Sequence, residues 1–195
     1  MICQKCNIAN RDSAIYCKWC GTNIVSKTTS ALDELVGMPT VKEQLMDLVN
    51  THESLALRTL QSGISHRLGM NMIIVGNTGT GKTKLVNVIQ KLLYANDVIE
   101  KPAIRIIDAV DYDEFAKDWE KNTTKLKGGI LCIENVQKLL PAEISNEINV
   151  LDKLFSCMDK WNNDPIIILS GLSAGFKEFI AANPDVRNRF EYIST

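Results

Sequence analysis

Apolar residues along this chain gather into short runs, and longer stretches of helical spacing lie between them. The runs fall at 70–75 (MNMIIV), 103–107 (AIRII), 130–133 (ILCI), 165–169 (PIIIL) and 191–194. After the first run, Leu85, Val88, Ile89, Leu92 and Leu93 recur at the three-to-four spacing of one helix face. Before the fourth run, Ile144, Ile148, Leu151, Leu154, Phe155, Met158 and Trp161 mark a second such face. Apolar runs without alternation are strands covered on both faces. Strands alternating with helices predict an α/β fold, a doubly wound parallel sheet flanked by helices.

The junction between the first run and its helix carries the clearest chemistry. It reads GNTGTGKTK, from Gly76 through Asn77, Thr78, Gly79, Thr80, Gly81, Lys82 and Thr83 to Lys84. Gly-x4-Gly-Lys-Thr between a strand and a helix is a complete Walker A pattern, the phosphate-binding loop of P-loop NTPases. Glycines let successive backbone N–H groups curl around phosphates, and the helix N-terminus adds its positive dipole end. Lys82 is then expected at the β- and γ-phosphates and the Thr83 hydroxyl on Mg²⁺. The expected cofactors are ATP, or a closely related nucleotide, and magnesium.

The third run delivers Glu134 to the carboxyl end of its strand, the edge at which α/β sheets bind ligands. Another acid, Asp108, follows the second run.

Composition narrows the class. Of 195 residues, 45% are hydrophobic and 23% charged, which suits a globular protein with a core, and a net charge of -1 gives no global attraction to nucleic acid or anionic membrane. No apolar run approaches the roughly 20 residues of a membrane span. The first residues lack a signal-peptide pattern, so the expected location is the cytoplasm.

Four of the 6 cysteines lie near the start as Cys3-x2-Cys6 and Cys17-x2-Cys20. Four thiolates on two tight turns, with Gly21 after the second pair, predict a tetrahedral zinc site. So small a segment lacks a core of its own, and the metal supplies its folding energy. Residues 1–24 therefore read as a zinc ribbon, 25–31 as a small polar linker, and 32–195 as the P-loop domain. Lys5, Arg11, Lys18 and Lys27 outnumber Asp12 in the ribbon and linker. A four-thiolate zinc site is itself anionic and offsets most of that excess. Docking of a protein partner is thus favoured over nucleic-acid binding.

The stretch from Leu32 onward resembles an AAA+ ATPase core, in the branch of rubisco-activase-like proteins and stage V sporulation protein K. Leu32–Pro39 (LDELVGMP), Gly76–Thr83, Gly128–Asn135 (GGILCIEN) and Asn183–Phe190 (NPDVRNRF) carry the resemblance. It implies that Val36 and Gly37 cross the adenine, and that Glu134 takes the place of the magnesium-organising acid. It also implies that Arg189, with Arg187 second, is a finger on the γ-phosphate of a neighbouring copy, hence a homo-oligomer, as a ring or partial ring.

The chain departs from that family at informative places. Glu134 stands where an Asp is expected and Asn135 where the catalytic Glu is expected. An amide cannot take a proton, so Asn135 is expected to orient the attacking water, and hydrolysis to be slower by roughly 10² to 10⁴. Alternatively Glu134 is the base itself. Neither Ser170 nor Ser173 falls clearly on the position that senses the γ-phosphate. Segment 111–127 lacks a pore loop, and Phe115 and Trp119 are expected to pack one helix on the sheet. The helical lid of the family is expected to be absent from this chain. The expected function is a weak, nucleotide-assembled ATPase that remodels or regulates a protein. A non-hydrolysing nucleotide-gated switch and a DNA-associated ATPase are the alternatives.

Overall fold

The computed structural model describes residues 2–3, 6–10, 17–21, 30–62, 70–139, 150–161 and 164–195. Five strands form one sheet: β1 (Met72–Val75), β2 (Ile104–Asp108), β3 (Ile130–Glu134), β4 (Ile166–Gly171) and β5 (Glu191–Ser194). Their order is β2-β3-β4-β1-β5, and every neighbouring pair is parallel. The five apolar runs each became a strand, with ends shifted by a residue or two.

Alternate residues of each strand serve opposite faces. Met72, Ile74, Ile130, Cys132, Ile166, Ile168 and Ile193 join one core with α1 (Pro39–Ser62) and α2 (Lys82–Ala95). Ile73, Leu131, Ile133, Ile167 and Leu169 join the other. Its helices are α3 (Tyr112–Lys117), α5 (Val150–Lys160), α6 (Phe176–Ala182) and α7 (Val186–Arg189), and a short helix, α4 (Trp119–Thr124), follows α3. Leu85, Val88, Ile89, Leu92 and Leu93 of α2 are all buried, as are Leu151, Leu154, Phe155 and Met158 of α5. Ile144 and Ile148 lie outside the described residues. Burial of each such side chain stabilises by about 1.5–3 kcal/mol relative to exposure. No described helix is long and apolar enough to cross a membrane.

Two expectations change. The single helix over 111–127 is two short ones, broken at Asp118, whose φ of -112° and ψ of 39° are not helical. Phe115 does pack into the core, under the Arg105 guanidinium at 5.3 Å, but it does not share a continuous helix with Trp119. The end of the polar linker, Ser30 and Ala31, belongs to a 3-10 turn (Ser30–Glu34) of the P-loop domain. The rest of that linker lies outside the described residues.

Two polar details lock the sheet. Asn71, buried just before β1, accepts from the Ile167 N–H through Oδ1 at 2.9 Å, and its carbonyl accepts from Glu191 N–H at 2.8 Å. One residue thus ties β4 and β5 to β1, the strand between them. Gly129 opens β3 where β2 passes close by, and a Cβ there would lie 2.3 Å from the Ala103 carbonyl oxygen. Backbone cannot yield as a flexible side chain does. Gly129→Ala is therefore expected to destabilise the domain by about 1–3 kcal/mol, the usual range for overpacking, read as a lower midpoint in urea unfolding. An unchanged midpoint would contradict the close approach.

Candidate functional site

All five parallel strands end on one rim, and the glycine-rich loop and the strand-end acids predicted from sequence gather there. β1 ends at Val75 and the chain turns through Gly76–Gly81 into α2. Gly79 and Gly81 both hold φ of 82°, a left-handed backbone that side chains resist, although nothing lies within 4 Å of a Cβ built on either. Conformation, not crowding, requires glycine at those two positions. Gly76 is the opposite case: its Cβ would meet Thr195 Oγ1 at 1.9 Å. Thr195 also shares a hydrogen bond with the Thr80 hydroxyl at 3.0 Å, so the residue after β5 abuts the loop.

Lys82 Nζ lies across the loop, donating to the carbonyls of Gly76 at 3.0 Å and Asn77 at 2.8 Å. Thr83, in the first turn of α2, donates its hydroxyl to Glu134 Oε1 at 2.6 Å. At that rim Glu134 ends β3 with Asp108 of β2 on one side and Ser170 of β4 on the other. A hydroxyl beside a carboxylate is a hard oxygen donor set. It fits magnesium, which takes one or two protein oxygens and keeps several waters.

Asn135 leaves β3 in the left-handed region, with φ of 59° and ψ of 37°. Its side-chain amide donates to Asp108 Oδ2. Asp108 Oδ1 accepts from the Val110 N–H at 3.0 Å and from Lys138 Nζ at 3.3 Å. The Val110 N–H first, then Asn135 and Lys138, hold the Asp108 carboxyl below its ordinary range. Sequence reading gave Asp108 no role, although its place at a strand's carboxyl end is the same signal that picked out Glu134. Ser170 is buried within β4 and Ser173 is exposed in the following turn.

The segment expected to cross the adenine has a buried and an exposed part. Leu32 and Leu35 are buried, and Glu34 pairs with Lys91 of α2 at 2.6 Å. Val36 is 91% exposed, followed by Gly37 at φ 75° and Met38 at φ 55°. An apolar side chain is thus held in solvent by an anchored turn.

The two arginines lie elsewhere. α7 precedes β5, so Arg187 and Arg189 sit at the rim where strands begin, and the loop sits at the rim where they end. Four strand residues at about 3.3 Å each separate the rims by roughly 13 Å. Arg189 donates to both carboxylate oxygens of Asp159, at 2.5 and 3.1 Å, and its guanidinium lies 5.2 Å from the centre of the Phe155 ring. Arg189 keeps the Asp159 carboxyl low. Arg187 is exposed and has no ion-pair partner among the described residues.

The four early cysteines form a second cluster, with all sulfurs within 4.8 Å of one another. Cys3 and Cys20 approach to 3.6 Å, and Cys6 and Cys17 to 3.5 Å. A tetrahedron with Zn–S bonds of about 2.3 Å has sulfur–sulfur edges of about 3.8 Å, so the cluster fits zinc. None of the four is in a disulfide. Asn7, with φ of 55°, follows the first pair as Gly21, with φ of 66°, follows the second. Asn10 joins the two turns, accepting from Lys18 N–H at 2.8 Å. The backbone N–H of Cys20 foremost, with that of Trp19 and the Asn10 amide, draws the Cys17 thiol down to about 6 against the opposing effect of burial. Trp19, within the second pair, is 76% exposed.

Residues 72–194 match the model of the ATPase family associated with various cellular activities (AAA). Stage V sporulation protein K of Bacillus subtilis (strain 168) is 26% identical over 176 residues, covering 86% of this chain and 54% of that protein. ESX-1 secretion system protein EccA1 of Mycolicibacterium smegmatis (strain ATCC 700084 / mc(2)155) is 23% identical over 176 residues, 86% of this chain and 31% of that protein. ESX-3 secretion system protein EccA3 of Mycobacterium leprae (strain TN) is 22% identical over 166 residues, 82% of this chain and 26% of that protein. The crystal structure of the DnaC helicase loader aligns with a TM-score of 0.49 at 14% identity, over 84% of this chain and 94% of that one. The chain thus spans about half, or less, of the curated relatives it matches.

Proposed function

The chain belongs to the ATPase family associated with various cellular activities (AAA), and from that premise we propose that it is a magnesium-dependent ATP-binding module with slow turnover. Nucleotide occupancy drives its self-assembly and its action on a protein partner. The observation that carries this reading is the Thr83–Glu134 hydrogen bond beside Lys82, which unites both halves of a nucleotide site on one rim.

In this reading the backbone N–H groups of Gly76–Thr83 and the Lys82 ammonium hold the phosphates, while Val36 and Gly37 lie against the base. Thr83 and Glu134 hold magnesium, which neutralises charge on the β- and γ-phosphates when bound. Asn135 accepts a hydrogen bond from water but takes no proton, hence the slow rate. Calorimetric titration tests the core of the proposal. ATP is expected to bind at least about tenfold more tightly with magnesium than with excess chelator, a difference of about 1.4 kcal/mol. Equal affinities would sink the site.

Asn135 also supports a second reading, a switch that holds ATP without cleaving it. Steady-state phosphate release above a Lys82→Ala background excludes the switch; its absence, with binding intact, establishes it.

Self-assembly has its own test. Because the arginines lie on the opposite rim from their own phosphate loop, they serve a neighbouring copy. Arg189 does so after exchanging Asp159 for a γ-phosphate, with Arg187 beside it. Magnesium-ATP is expected to raise the sedimentation coefficient, and Arg189→Ala to lower turnover of the assembled protein by about 10³. A monomer under all conditions, with Arg189→Ala fully active, refutes the assembly.

The four cysteines hold zinc, and the ribbon they fold presents Trp19 for a protein contact.

A further inference from the structure

β5 is the outermost strand on its side of the sheet, and among the described strands it pairs with β1 alone. The Glu191 N–H donates to the Asn71 carbonyl at 2.8 Å, and the Thr195 N–H to that of Val75 at 2.9 Å. Peptide groups along a strand point alternately to its two sides, so the N–H and C=O of Tyr192 and Ser194 point away from β1. Glu191, Tyr192 and Ser194 are exposed, and the strand contains no proline. An open edge of this kind is a template for another strand.

A groove lies on each side of the edge. On the face of α6 and α7, Phe176, Ile180 and Tyr192 make an apolar floor that Lys177 and Arg187 share, around a space of about 580 Å³. The Tyr192 ring stands edge-on to Phe176, with centroids 5.5 Å apart. Lys177 and Arg187 are exposed and have no ion-pair partner among the described residues. On the opposite face, Gln44, Asp47, Leu48 and Thr51 recur at helical spacing along α1 and border a smaller space of about 220 Å³ with Glu191 and Tyr192. Asp47 and Glu191 make that groove negative, whereas the first is positive.

We propose that this edge docks an extended segment of a partner protein, which adds as a further strand beside β5. Main-chain hydrogen bonds to Tyr192 and Ser194 supply affinity, and alternate side chains supply specificity. Neighbours along a strand face opposite ways, so every second residue of the segment meets the first groove. Those residues are acidic or apolar, for Lys177, Arg187 and the floor of Phe176 and Ile180. The residues between them are basic, with their charge toward Asp47 and Glu191 and their aliphatic stems along Leu48. A segment of one sign throughout suits one groove and is repelled by the other. Alternation, not net charge, identifies the partner.

The probe is a labelled, end-blocked peptide, Glu-Lys-Leu-Lys-Glu, compared by fluorescence anisotropy with Lys-Glu-Leu-Glu-Lys. The two have one composition and opposite faces. The full chain, without nucleotide, is expected to favour the first by about tenfold or more. Methylating the backbone nitrogens on the pairing edge of that peptide is expected to abolish binding. The Tyr192 and Ser194 amides are expected to gain protection from hydrogen exchange with the unmethylated peptide only. Lys177→Glu/Asp47→Lys cancels the charge of both grooves at exposed positions and is expected to level the two affinities, with thermal melts as the folding control. Arg187 is left in place because it also serves the assembly contact. Equal affinities for the native chain, undiminished binding of the methylated peptide, or a preference that survives the double variant overturns the proposal. Self-association without peptide that Lys177→Glu abolishes also overturns it and assigns the edge to a second copy of this chain.

Discussion

Replacing Lys82 by alanine is expected to weaken magnesium-ATP binding by about 30- to 1,000-fold, equivalent to about 2–4 kcal/mol. The ammonium already lies in the loop, within 3.0 Å of two of its carbonyls. Those partners are neutral, whereas a triphosphate offers anionic oxygens, and hydrogen bonds between charged groups are roughly twice as strong. Alanine removes the sole ammonium of the Gly76–Thr83 loop and leaves the phosphates to backbone amides alone. Stability should hardly move, because the lost bonds reach the exposed carbonyl of the loop and one beside it. Titration calorimetry on both proteins, with thermal melts as the folding control, reads the two quantities separately. Equal affinity in the two proteins would show that nucleotide does not use this loop.

The second large effect lies at the other end of the chain. Zinc is expected at one ion per chain, and stripping it is expected to unfold the ribbon while the P-loop domain persists. Among the described ribbon residues only Cys3 and Cys17 are buried, and these residues form no apolar core behind the cysteines. Metal binding to four thiolates is worth about 10–16 kcal/mol in small zinc modules, far more than two tight turns and a bridge between Ile2 and Ala9 can supply. Cys17→Ser should act like the chelator, since it removes the ligand that Asn10 and two backbone N–H groups hold toward the thiolate. Metal analysis of the purified protein, then limited proteolysis with and without chelator, tests both statements. Protein free of zinc, or cleavage in the ribbon unaffected by chelator, would leave the cysteines as redox pairs.

Much of this was legible in the amino-acid order because it depends on local periodicity. Ile130–Ile133 followed by Glu134 had to be a buried strand ending in an acid, and Gly76–Thr83 had to be a phosphate loop between strand and helix. What escaped depends on lateral neighbours. That Asp108 stands beside Glu134 follows from β2 pairing with β3, and nothing in either strand's composition sets that order. The Arg189–Asp159 pair spans 30 residues and joins α7 to α5, so the arginine read first as a finger has a partner within its own chain. Thr195 reaches Gly76 only because β5 runs beside β1. The break at Asp118 was missed for a different reason: helical spacing continues through it, and one residue's backbone angles interrupt it.

The separation of Arg189 and the phosphate loop onto opposite rims has a geometric consequence. A contact that matches one rim to the other and repeats in the same sense from copy to copy is heterologous, so it closes into a ring or runs on as an open row. Copies joined this way acquire polarity, each facing the back of the one ahead. In an unclosed row the terminal copy at one end lacks a donor and the copy at the other end donates to nothing. Specific activity would then climb with the length of the row and level off once its ends meet.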